Sequence, residues 1–229
     1  MKKLIVVLIT ILIYACNSSL NLNNNESKYF EGIITCKIDY KPYSNLFTSE
    51  LLKEIVGEKL IIRFKEGVYK KEYYSSNGEL LSERYLDLNE NKLYSKSINN
   101  DTVFWVDITK NDSKTTFIKL KDTTILEQSA IGIKAKTIVK MDMFPDTSFN
   151  VGGTYYYSKK HLLNPVWYEG YEEGNYNEII SVGKGINLLS ITDELYWEKI
   201  VTTVEIKEKS INSEKLKIKI NDSTPLIEL

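Results

Sequence analysis

The chain has 229 residues, with 30 Lys and Arg set against 31 Asp and Glu. A near-neutral chain whose charges alternate in sign, without a clustered basic stripe, argues against a nucleic-acid partner. Tyrosine is abundant, at 16 residues, and proline scarce, at 4, a composition suited to strands.

Met1-Lys2-Lys3 opens the chain and an apolar run from Leu4 to Ala15 follows. A short cationic head, an apolar stretch and a small residue before a cysteine make a secretory signal. The run is too short for a bilayer span, which needs roughly 20 apolar residues. Its last four residues, Ile13-Tyr14-Ala15-Cys16, resemble the lipobox of bacterial lipoproteins, with Ala15 at the small site and Tyr14 bulkier than usual. That resemblance implies cleavage after residue 15, lipid on Cys16 and a membrane as partner. Residues 16–29 are polar and rich in Asn, and read as a flexible tether. Asn17 does not match an inner-membrane retention signal, and no acidic run follows Cys16. The expected location is therefore the cell envelope, on the outer membrane facing the periplasm. With Cys16 acylated, Cys36 has no disulfide partner and reads as a small buried hydrophobe.

Residues 30–229 read as a single β-rich domain without an internal linker. Ile34, Cys36, Ile38 and Tyr40 alternate with polar neighbours, the period of a half-buried strand. Thr48 or Ser49 caps a helix over 48–56, with Leu51, Leu52, Ile55 and Val56 as a stripe against the sheet and Gly57 past its end. From Lys59 a meander of short strands follows, turning at Lys65-Glu66-Gly67, Asn77-Gly78, 89–91, 99–101 and 110–113. Ile131 to Met141 is the next strand; Phe144-Pro145-Asp146 breaks it and Thr154 resumes it. Asn164-Pro165 opens a short helix over 165–171, and a second runs over 176–182 to Gly183-Lys184-Gly185. Strands over 186–192 and 195–207 lead to a last strand at 215–220 and a polar tail. The expected fold is mainly β, one curved antiparallel sheet or half-barrel of about nine to eleven strands. The three helices would lie on its concave side or rim.

An N-terminal strand, early helix, long meander and late helical insert resemble the LolA-like half-barrel of periplasmic lipoprotein carriers. Phe64-Lys65-Glu66-Gly67-Val68-Tyr69 is similar to a hairpin of that group. Ala130 to Lys136 resembles a stretch of the GLPGLI family of Bacteroidetes, with Ala135 where that family has cysteine. Gly185 to Leu189 and Val201 to Ile206 resemble its paired late strands. The resemblance implies a cell-envelope lipoprotein that holds a lipid or other apolar ligand, and it carries over no catalytic residue.

Residue chemistry points to no enzyme. The single histidine, His161, makes no zinc pattern with its neighbours and reads as a surface residue in a helix-entry loop. No Gly-x-Ser-x-Gly elbow is present. Glu169, Glu172 and Glu173 read as the solvated face of a short helix. No metal and no cofactor are expected. Three functions remain open: a non-enzymatic ligand holder, a structural or adaptor lipoprotein with no small ligand, and a hydrolase of unknown substrate. For the first, the aromatics Trp105, Trp167, Tyr168 and Tyr171 are the ligand-binding candidates, since apolar sites are mostly hydrophobic and aromatic. The sequence leaves open whether they line a cavity or plug it. Cys16→Ser should leave the protein unprocessed and unlabelled by radiolabelled fatty acid; equal labelling of mutant and wild type would remove the lipoprotein assignment.

Overall fold

The computed structural model describes residues 28–111, 113–141 and 144–229. The signal segment 1–15, Cys16 and all but the end of the tether lie outside the described residues. Thirteen strands form one open sheet: β1 (Gly32–Pro42), β2 (Lys59–Lys65), β3 (Val68–Tyr74), β4 (Leu80–Asp87), β5 (Lys92–Ser97), β6 (Val103–Asp107), β7 (Lys114–Lys119), β8 (Thr123–Ile125), β9 (Gln128–Met141), β10 (Phe144–Leu162), β11 (Gly185–Asp193), β12 (Trp197–Glu208) and β13 (Leu226–Glu228). The order is β13-β6-β5-β4-β3-β2-β1-β12-β11-β10-β9-β7, with β8 on β9. Every pair is antiparallel except β13 with β6.

The sheet is strongly curved, as its core requires. Leu86 of β4, Tyr69 and Tyr73 of β3, Ile38 of β1, Leu188 of β11 and Ile133 of β9 belong to one buried cluster. In a flat sheet β4 and β9 would stand roughly 34 Å apart, at about 4.8 Å per strand. The alternation seen in β1 puts Ile34, Cys36, Ile38 and Tyr40 on the concave side. A bulge between Thr35 and Cys36 in the β1–β12 ladder adds local bend.

The convex face has its own cover. Tyr85, Tyr94 and Val103 pack with Ile211, Leu216 and Ile218 of the C-terminal segment. Here the structure corrects the sequence reading. Residues 216–220 form no strand; a 3-10 turn at Ser213–Lys215 leads into a segment lying across the sheet. Its apolar alternation reflects burial against the convex face, not a ladder. The tail is not wholly irregular either, because Leu226–Glu228 joins β6 as a parallel edge. Phe144-Pro145-Asp146 belongs to β10, and the interruption is a register shift between Phe144 and Ser148.

The early helix spans Ser49–Ile55, with the Thr48 side chain accepting from the Leu51 amide at 3.1 Å. Gly57 follows its end at φ 123°. Only Leu52 is fully buried; Leu51 and Ile55 are 41% and 54% exposed. The helix sits at the rim beside β1, so half of its expected stripe faces outward.

Cys36 is buried, its Sγ 3.6 Å from Thr203 Oγ1. Burial pushes its thiol above the usual range, more than the Thr203 contact and nearby Lys71 lower it. Reaction with a thiol reagent should therefore wait on unfolding and run at least about a thousandfold slower than for an open thiol. Rapid stoichiometric labelling of the native Cys16→Ser protein would refute this placement.

Candidate functional site

The concave face forms a trough whose lower end is filled by the segment between β10 and β11. Asn164 caps a 3-10 turn at Pro165–Tyr168, its side chain accepting from the Val166 amide. A helix over Tyr176–Gly183 follows, and Lys184 closes it in a left-handed conformation. Tyr168 is fully buried and donates its hydroxyl to the Gly67 carbonyl at 3.0 Å. Gly67, in the β2–β3 turn, has φ 85°, and a Cβ there would stand 2.8 Å from both Leu88 and Trp167. Only glycine lets the turn and the insert meet so closely. Tyr171 shares a hydrogen bond with Tyr69, and the Tyr176 ring packs tilted against Tyr171, centroids 4.6 Å apart. The Glu172 and Glu173 amides donate to the Ile108 carbonyl just past β6, and Asn175 donates to Ser113 and to Thr115 of β7. The insert thus ties together the two flanks of the open sheet.

The four aromatics named from sequence are not one site. Trp167, Tyr168 and Tyr171 come together in the insert, with Trp167 against Phe64 and Tyr29. Tyr168 and Tyr171 are closed core residues that plug the trough rather than line open space. Trp105 lies on the opposite face of the sheet, partnered by Lys92 at 4.4 Å from its ring and packed on the convex cluster. Strand parity decides this: Lys70, Tyr85, Tyr94 and Trp105 pair in register on the convex side.

Above the plug a cleft of about 210 Å³ opens on the β9–β11 side, lined by Ala135, Thr137, Gly153, Tyr155, Ile179 and Thr192, with Asp193 and Glu194 at its rim. On the same face Cys36 and Leu60 are closed core residues, with Ile62 and Val201 half-buried beside them. The opposite flank is polar, because β3 and β4 place Lys71, Ser82 and Arg84 on this face, and β5 adds Ser95. Sequence reading missed these residues, since Lys71 and Arg84 look like ordinary solvated charges in a meander. Only the run of polar residues on what should be the inward parity marked them.

His161 is corrected as well. It lies in β10, only 6% exposed, not in a surface loop. The strand bulges between Tyr157 and Leu162, and the Ser158 hydroxyl accepts from the Lys160 and His161 amides and donates to Gln128. His161 Nδ1 is 3.0 Å from Gln128 Oε1 and Nε2 is 3.0 Å from Glu208 Oε1. Serine, histidine and glutamate meet here, but the serine is fully buried and its hydroxyl is committed to holding the bulge. That arrangement offers no free nucleophile. Among the described residues, no group of three or more His, Cys, Asp and Glu side chains is placed to hold a metal ion. No helix among them is long and apolar enough to cross a membrane.

No known family description matches the chain, and no curated protein matches it in sequence. Several solved structures superpose loosely with the chain. An uncharacterized conserved protein from Thermus thermophilus is 8% identical, with a TM-score of 0.41 over 87% of this chain and 91% of the other. The lipoprotein LppX of Mycobacterium tuberculosis is 9% identical, with a TM-score of 0.35 over 80% and 89%. LprF of Mycobacterium bovis is 8% identical, with a TM-score of 0.33 over 80% and 88%. Superpositions this loose assign neither an activity nor a ligand.

Burial holds the His161 pKa below its usual 6.5, with Lys160 adding to the shift and Glu208 opposing it. The unfolded chain takes up this proton first as pH falls, so stability should drop from about pH 6.5 down to the folded pKa and then level. The chain has one histidine, so a single imidazole proton resonance reports the folded value directly. A titration midpoint at or above 6.5 would contradict the burial described.

Proposed function

We propose that this protein is a lipid-anchored envelope lipoprotein that holds an apolar ligand in the trough of its sheet and performs no chemistry on it. The observation that carries the reading is the cleft above the tyrosine plug. It lies on the concave face beside the plug, with Ala135, Tyr155 and Ile179 in its lining. Its lining mixes a few hydroxyls with apolar surface, as small-ligand sites do. The signal-like run ending at Cys16 supports the anchor, and the absence of an acidic stretch after it supports the outer membrane facing the periplasm. The order of elements supports a LolA-like half-barrel, and the 130–136 stretch supports a likeness to the GLPGLI group of Bacteroidetes. Burying an acyl chain contributes roughly 0.8 kcal/mol per methylene, enough for useful affinity from a short buried length.

The competing reading is an adaptor without a small ligand. Closure of Tyr168 and Tyr171 favours it, because the largest aromatics of the insert are core. Thr192 separates the two. It lines the cleft and lies outside the insert, so Thr192→Trp should fill the space and leave the plug intact. Saturable displacement of a fluorescent fatty acid by the wild type, lost in Thr192→Trp with an unchanged melting temperature, is the expected result. No saturable displacement, with no lipid retained in native mass spectra, would leave the adaptor reading standing.

A further inference from the structure

The two faces of β3 and β4 treat their charges in opposite ways. On the convex side every cation has a counter-ion. Lys70 reaches Glu83 at 2.5 Å and Glu72 at 3.5 Å, and Arg63 pairs with Glu72. On the concave side Lys71 and Arg84 stand opposite each other in the β3–β4 ladder, and neither makes an ion pair or hydrogen bond with any described residue. Lys199, from β12, joins them across the curve of the sheet. Its Nζ lies 5.4 Å from the Tyr73 ring centroid, and the Arg84 guanidinium lies 5.9 Å from the same ring. Lys71 stands over Tyr69 at 4.6 Å. Three cations therefore converge on two tyrosines inside a trough, and none is ion-paired with a carboxylate among the described residues.

Such a cluster is costly as it stands. Burial and then the neighbouring charges Arg84 and Lys199 hold the Lys71 ammonium below its usual range. Burial raises Tyr73, but Lys199, Lys71 and Arg84 outweigh it and pull that hydroxyl below its usual value. The carboxylate facing Arg84 from the insert is Glu173, whose own pKa burial raises. Arg84 is exposed and Lys71 and Lys199 are half-buried, so an anion entering the trough from solvent can satisfy all three.

The cluster also adjoins the cleft. Lys199 pairs in register with Thr192, which lines it. Asp193 and Glu194 at the rim are engaged by the Tyr43 and Thr192 hydroxyls rather than by the three cations. We propose that the trough binds an anionic amphiphile, its acyl chain along the Ala135–Tyr155–Ile179 cleft and its carboxylate or phosphate head between Lys71, Arg84 and Lys199, with Ser82 and Ser95 as further donors. This rests on the ligand-holding function above and specifies the ligand's chemistry.

The test is competition for a photoactivatable palmitate probe crosslinked to the full-length protein in its own membranes. Oleate, oleyl alcohol and inorganic phosphate are the competitors. Oleate should compete at a concentration at least about tenfold lower than oleyl alcohol, and phosphate alone should not compete. Lys199→Met, and separately Lys71→Met with Arg84→Met, should bring the oleate and alcohol values together; a general folding defect would not change their ratio. Equal competition by oleate and alcohol in the wild type overturns the anionic head while leaving an apolar ligand. Competition by phosphate as strong as by oleate overturns the amphiphile in favour of a small anion. Absence of saturable crosslinking overturns both this assignment and the ligand-holding function.

Discussion

The docking of the 165–183 insert on the β2–β3 turn is the contact on which the trough depends. A thirteen-stranded sheet with free edges must curl or be covered. Here the curl is held by a plug: Tyr168 against Gly67, Tyr171 against Tyr69, Tyr176 against both Tyr168 and Tyr171, and Asn175 against the β7 edge. The energies have different roles. Truncating a fully buried aromatic costs about 3–5 kcal/mol, whereas a hydrogen bond contributes about 1 kcal/mol net. Burial of the Tyr168 ring therefore holds the insert in place, and its hydroxyl fixes where the insert sits. Gly67 permits both.

The same plug divides the concave face. Below it, tyrosines fill the space. Above it, β1 and β2 present apolar residues, the flank formed by β3 to β5 carries cations and hydroxyls, and the cleft opens on the β9–β11 side. A trough with one oily wall and one cationic wall suits a molecule with one oily end and one charged end. The convex face shows that this is not a general feature of the chain. There Lys70, Arg63, Glu72 and Glu83 neutralise one another beneath the C-terminal segment.

Local signals carried much of the fold. Alternation in β1, the Thr48 cap, the turn at Glu66-Gly67 and the Asn164-Pro165 start are all decided by nearest neighbours in sequence, and each sits where the sequence places it. Readings failed where a pattern had two physical causes. Leu216 and Ile218 alternate as a strand would, but the alternation comes from lying over the convex face. His161 stands among lysines as a surface residue would, but a bulge pinned by Ser158 turns it inward against Phe30.

The sequence by itself determined the class of the fold: a tyrosine-rich chain of short alternating strands. Periodicity and turn chemistry are local, so they are legible in one dimension. Tertiary structure decided everything that depends on curvature and on which face a strand presents. It sent Trp105 to the convex side and Tyr168 and Tyr171 into the plug, and it brought Lys199 of β12 over Tyr73 of β3. Those residues are 126 positions apart, and only the bend of the sheet makes them neighbours.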